Sequence, residues 1–160
     1  MNYTVQEIKP QHDASLCEII TLVGKEFGAI GEGFGPSDAE VKCMSQYYKN
    51  ENSSRYFVAS VDNCLVGGCG IAPFDQRDDV CELRKLFLLP KSRGLGIGKK
   101  LIADCLEYAR CKGYKKCYLD TLTNMTQAIE LYEKLGFQHL IKPLEGTIHS
   151  GCDVWMLKDL

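Results

Sequence analysis

The segment Leu86-Phe-Leu-Leu-Pro-Lys-Ser-Arg-Gly-Leu-Gly-Ile-Gly-Lys-Lys100 constrains this chain more than any other. An apolar run stops at Pro90, which has no N–H to give a sheet ladder. Gly94, Gly96 and Gly98 follow, and Leu101, Ile102, Cys105, Leu106 and Ala109 then recur at helical spacing. The segment therefore reads as a strand, a glycine-rich turn and a helix. Glycines without Cβ let a ligand lie on the backbone, and the unpartnered N–H groups of a helix's first turn gather positive potential at one spot. Such a spot suits a phosphate. The charged residues between Leu83 and Ala103 are Arg84, Lys85, Lys91, Arg93, Lys99 and Lys100, all cationic.

Two phosphate motifs fail on spacing. The dinucleotide fingerprint G-x-G-x-x-G is longer than the G-x-G-x-G of Gly94 to Gly98. A Walker A loop would put Arg93 where its first Gly belongs and Lys100 where Ser or Thr belongs.

The rest of the chain sets the frame. A length of 160 residues suits one domain, 1–160, and a net charge of −2 argues against a nucleic-acid surface. No apolar run approaches the ~18 residues of a membrane span. The opening residues lack the basic and apolar regions of a signal peptide, so a cytoplasmic protein is expected. Nine cysteines form an odd count without metal-ligand spacing, which points to reduced thiols, and no metal site is expected.

Residues 3–8 read as a strand, and Leu16, Ile19, Ile20, Val23 and Phe27 as one face of a helix ending near Gly28. A glycine-rich loop follows to Gly35. Ser37 to Glu40 has the pattern of a capping box opening a second helix with Val41, Met44 and Tyr48. Strands at 56–61 and 64–74 flank an Asp62-Asn63 hairpin turn, and Gly67, Gly68 and Gly70 suggest a bulge. Further strands fall at 80–89, 116–122, 137–142 and 152–158, with helices before Gly113 and Gly136. The order β α α β β β α β α β β predicts a mixed α/β (α+β) sheet.

The hexapeptide Arg93 to Gly98, R-x-x-G-x-G, preceded by a strand and a proline, resembles the pyrophosphate loop of the GNAT superfamily of N-acetyltransferases. The run Asp120 to Phe137, ending Leu-Tyr-Glu-Lys-Leu-Gly-Phe, resembles that family's next block. The resemblance covers residues 55 to 142 in correct order and spacing. It implies an acyl-CoA N-acyltransferase fold and acetyl transfer from acetyl-CoA to a primary amine of a small molecule or peptide in a ternary complex. Pairing of two chains through terminal strands is common in the family. The backbone of Leu86, Phe87 and Leu88 would pair with the pantetheine arm. Arg93, Gly94, Leu95, Gly96, Ile97, Gly98 and Lys99 would cradle the pyrophosphate. Tyr132 falls where the family keeps a general acid, and Glu82 where histone-type members keep a general base. The family's cofactor-contacting Asn falls on Met125. Asn124, one position earlier, is either a displaced contact or a helix cap with Gln127.

Each residue also has a plainer reading. Glu82 could be a surface carboxylate paired with Arg84 or Lys85, and Tyr132 a core aromatic beside Ala128 and Leu135. A backbone N–H near Leu88 could polarise the thioester oxygen. Direct transfer is favoured over an acyl-cysteine, because Cys69 and Cys81 fall on central strands. Phe34 in the glycine-rich loop, Cys69 and His149 are candidates for the acceptor side. His149 is also an alternative base, against a favoured reading of its loop as one whose Asp153 caps a turn. A non-catalytic acyl-CoA sensor would keep the loop and lose Glu82 and Tyr132, which are both present.

Overall fold

The computed structural model describes residues 2–160. The elements are β1 (Tyr3–Glu7), α1 (Asp13–Glu26), α2 (Met44–Tyr47), β2 (Arg55–Val61), β3 (Cys64–Pro73), β4 (Val80–Leu88), α3 (Ile97–Cys111), β5 (Lys116–Thr121), α4 (Thr126–Lys134), β6 (Gln138–Leu140) and β7 (Val154–Asp159). Their order is the one expected. They form one seven-stranded sheet, β1-β2-β3-β4-β5-β7-β6. Every neighbouring pair is antiparallel except β4 and β5.

Side-chain alternation sorts the core onto two faces. Tyr56 and Val58 of β2 meet the apolar stripe of α1, Leu16, Ile19, Ile20 and Val23. Phe57 and Ala59 point the other way, into a core with Leu101, Ile102 and Cys105 of α3 and Tyr132 of α4. All nine cysteines are free, and Cys69, Cys81, Cys105 and Cys117 are buried there as small apolar groups. Among the described residues, no helix is long and apolar enough to cross a membrane.

The second helix differs from expectation. Short turns occupy Gly35–Ser37 and Ala39–Cys43, and the α-helix proper is only Met44–Tyr47. The Ser37–Glu40 capping box does not form. Ser37 Oγ accepts the Gly31 N–H at 2.8 Å, while the Glu40 carboxylate accepts from buried Lys85 Nζ at 3.0 Å. A charge-assisted bond to a buried ammonium outweighs a local cap.

The hairpin turn forms as read, with Asp62 and Asn63 both at positive φ (49° and 65°). The bulge forms too: the β3–β4 register shifts between Gly68 and Gly70. Opposite it, Lys85 adopts φ 53°, a left-handed conformation rare for a side chain of its size. The consequence reaches β5. Strands β4 and β5 pair only at Val80↔Lys116, Cys81↔Cys117 and Glu82↔Tyr118. Beyond Glu82 they part, and the far end of β4 has no ladder partner on the β5 side.

Gly68 sits where this geometry leaves no room. A Cβ there would strike the Tyr56 ring and the Phe57 carbonyl, and Tyr56 is fully buried. Gly68→Ala is expected to lower stability by about 1–3 kcal/mol in urea denaturation. A wild-type midpoint would show that the Tyr56 ring and the Phe57 backbone both give way.

Candidate active site

The parting of β4 and β5 opens a cleft of about 70 Å³. Glu82, Arg84 and Leu86 of β4 line it, with Asp120 of β5, Tyr132 of α4, Phe34 of the glycine-rich loop and His149 of the β6–β7 loop. A larger open groove of about 510 Å³ lies between Arg55 of β2 and Tyr108 of α3, and shares no residue with the cleft.

Glu82 is not a surface carboxylate. It is 4 % exposed, on a strand with neighbours on both sides. Its Oε1 accepts from Arg84 Nε at 2.6 Å. Burial pushes its pKa above the ordinary carboxylate range, Arg84 pulls it back, and the Asp120 charge adds to the rise. Lys85 is buried between Asp38 at 2.8 Å and Glu40 at 3.0 Å. Arg84 also lies 3.9 Å from Glu40. Arg84 and Lys85 therefore belong to this carboxylate cluster and not to the phosphate turn with which the sequence groups them.

His149 is 6 % exposed and belongs to the same cluster. Its Nδ1 lies 3.0 Å from Asp120 Oδ1 and its Nε2 2.9 Å from Asp38 Oδ2. Burial alone would lower its pKa; the hydrogen bonds to Asp120 and Asp38 overcome this and raise it to about 10. Carboxylates at both nitrogens favour the imidazolium form, in which both N–H groups donate and neither nitrogen keeps a lone pair for a proton. That arrangement favours Glu82 over His149 as the base. Its loop is more than a cap, although the Asp153 carboxylate does accept from Thr123 N and Oγ1 at 3.0 and 2.9 Å. Ligand atoms of Glu82, Asp120 and His149 lie within 4.8 Å of one another, a grouping whose spacing in sequence gave no sign of it. The His149 nitrogens face carboxylates with protons in place, so a cation could bind only after the ring gave one up.

On the other side of the cleft, Gly94 and Gly96 take φ of 78° and 82°, and no side chain caps α3. A Cβ at either glycine would meet nothing within 4 Å, so the turn offers an open backbone face. Leu95 and Lys99 are exposed, whereas Ile97 is buried. Gly98 is a packing glycine, with Leu131 3.2 Å from where its Cβ would lie.

Arg93 turns away from the glycine face. Its guanidinium donates to the Leu88 carbonyl at 3.1 and 2.9 Å and to Glu26 at 2.7 and 2.8 Å, beside the Phe27 ring. Lys100 pairs with Asp104 at 2.7 Å. The positive run of the sequence is thus dispersed, and the positive potential at the turn comes from backbone N–H groups and the helix dipole, with Lys91 and Lys99 nearby. Asn124 does not cap α4, whose N-cap is Met125. Its side chain donates to the Phe27 carbonyl at 2.9 Å and ties α4 to the end of α1.

Tyr132 belongs to the core and also reaches the cleft. It packs edge-on against Phe137 at 5.8 Å and also lines the cleft. Burial pushes its phenol well up. Phe87 lines the cleft beside Leu86, and Leu88 packs on the core. Phe34 lines the cleft, but Cys69 is fully buried in the α3-side core and does not. Sequence reasoning missed Asp38, Glu40, Lys85 and Asp120 as members of the site. Asp120 carried a signal, as an acid within the apolar strand Cys-Tyr-Leu-Asp-Thr-Leu.

The sequence model of the acetyltransferase (GNAT) family matches residues 22–137. The uncharacterized N-acetyltransferase YjgM of Escherichia coli is 38% identical over 152 residues, covering 94% of this chain and 90% of that one. Among solved structures, a GNAT-family acetyltransferase from Staphylococcus aureus superposes with a TM-score of 0.84 at 19% identity over 99% of both chains. The PaiA N-acetyltransferase of Thermoplasma acidophilum, solved with coenzyme A, gives 0.79 at 18% identity over 100% of both. The family match over most of the chain, and a relative this similar along nearly its whole length, establish that the chain belongs to the acetyltransferase (GNAT) family of N-acyltransferases.

Proposed function

We propose that the protein transfers the acetyl group of acetyl-CoA to a primary amine of a small molecule or peptide by direct attack in a ternary complex. One observation carries this reading. Glu82 and Tyr132 line the same cleft between two parted strands, and the uncapped N-terminus of α3 follows directly from one of those strands.

The pyrophosphate would lie on the turn from Gly94 to Lys99. The pantetheine arm would take the backbone groups that β4 does not share with β5, from Leu86 to Leu88. The Leu88 carbonyl is already occupied by Arg93, so the other groups of this stretch serve the arm. Arg93 and Asn124 contribute indirectly, by fixing the loop and α4 against the end of α1.

The reaction needs a neutral amine beside a thioester carbonyl. Glu82 takes a proton from the acceptor's ammonium and later passes it to solvent, and the burial that raises its pKa makes it a stronger base than an exposed carboxylate. The nitrogen attacks, the N–C bond forms and the C–S bond breaks. A backbone N–H near Leu88 steadies the carbonyl oxygen. The departing thiolate takes the proton of the Tyr132 hydroxyl. The phenolate is restored by the proton that the new amide nitrogen sheds.

Steady-state release of free thiol from acetyl-CoA tests these roles. Glu82→Gln should lower kcat by ~10²–10³-fold, and its rate should climb steeply with pH as free amine accumulates, where the wild type is level. A flat, wild-type profile would reject Glu82 as the base. Tyr132→Phe should lower kcat by ~10–100-fold while KM for acetyl-CoA stays put, the mark of an interaction made only in the transition state. Unchanged turnover would remove Tyr132 as the acid.

A further inference from the structure

We propose that the acceptor is a small amine with no carboxylate beside its amino group, admitted beneath an arch of two loops that shuts out peptides. The inference rests on the acetyl-transfer reading and narrows it.

The arch is built from the glycine-rich loop after α1 and the loop between β6 and β7. The Gly151 N–H donates to the Gly33 carbonyl at 3.0 Å. The Phe34 ring lies where a Gly151 Cβ would go, and Ser150 Oγ where a Gly33 Cβ would go. His149 joins the two loops to β5, with its ring between Asp38 at 2.9 Å and Asp120 at 3.0 Å. An extended peptide needs an open groove along its backbone. Here the acceptor side is bridged by the Gly33–Gly151 contact, and the narrow cleft behind the bridge is walled by Phe34, Glu82, Asp120 and His149.

Charge selects further. Each cation facing the cleft is already paired: Arg84 with Glu82, Lys85 with Asp38 and Glu40, and His149 with Asp120 and Asp38. A carboxylate on the acceptor would find no free partner and would lie against Glu82 and Asp120. Burying such an unpaired charge is strongly unfavourable. An ammonium meets the opposite situation. Glu82 Oε2 lies 3.7 Å from His149 Nδ1, beyond hydrogen-bond reach, so it has room to accept an N–H. The carboxylates Asp38, Glu40, Glu82 and Asp120 also outnumber the cations Arg84, Lys85 and His149.

The test is a panel of acceptors with acetyl-CoA: aliphatic mono- and diamines, aspartate and β-alanine, and a lysine peptide blocked at both ends. The best aliphatic amine should exceed aspartate and the peptide in kcat/KM by at least ~100-fold. The same ranking is expected in calorimetry on the enzyme loaded with coenzyme A, which needs no turnover. Phe34→Ala, which opens the arch without altering the charges, should narrow the gap between amine and peptide by ~5-fold or more. Aspartate or the peptide matching the amines, in turnover or in binding, would overturn the inference, and an unchanged gap in Phe34→Ala would overturn the arch. If acetyl-CoA itself fails to bind in calorimetry, the acetyl-transfer reading falls and this inference with it.

Discussion

Lys85 holds the site together. Its backbone takes a left-handed conformation that costs about 1–2 kcal/mol for a residue with a Cβ. Two interactions offset this. The Tyr56 hydroxyl donates to the Lys85 carbonyl at 2.7 Å, and the ammonium is buried between Asp38 and Glu40. The resulting bulge shifts β4 against β3 and lies just beyond Glu82, the last residue of β4 that pairs with β5. The same residue draws the 38–40 segment over the strand end. The parted end of β4 and the wall formed by the 38–40 segment thus meet at one residue in β4.

The charges divide into two regions with different jobs. Around Lys85, carboxylates and cations neutralise one another at short range, and His149 is held as an imidazolium that links three parts of the chain. Removing one member of such a cluster leaves an unpaired buried charge, which is why its members depend on one another. At the start of α3 the attraction for an anion comes from backbone geometry, and Arg93 serves as a brace. The net charge of −2 conceals both arrangements.

The element order was legible because periodicity and turn residues are local signals. Asp62-Asn63, the stripe of α1 and the break at Pro90 each act within a few residues. The glycine turn before α3 and the Leu-Tyr-Glu-Lys-Leu-Gly-Phe helix were legible for the same reason. Apart from Glu82 with Arg84, two residues apart and readable, the carboxylate cluster was not, because its other hydrogen-bonded pairs span 29 to 111 residues: His149 with Asp120, Lys85 with Glu40 and Asp38, and His149 with Asp38. Ser37 to Glu40 had the local pattern of a cap, and a distant lysine overrode it. Arg84, Lys85 and Arg93 read as a phosphate patch because sequence shows charge without its partners. Cys69 read as an acceptor contact because a strand pattern does not say which face meets the cleft.

The central claim is that the parted end of β4 and the turn after it receive acetyl-CoA. Amide hydrogen exchange with and without acetyl-CoA tests this most directly. The account predicts slower exchange at amides in Leu86–Leu88 and Gly94–Gly98, with little change along β1 and β2. Unchanged exchange at both stretches in the presence of saturating acetyl-CoA would contradict it.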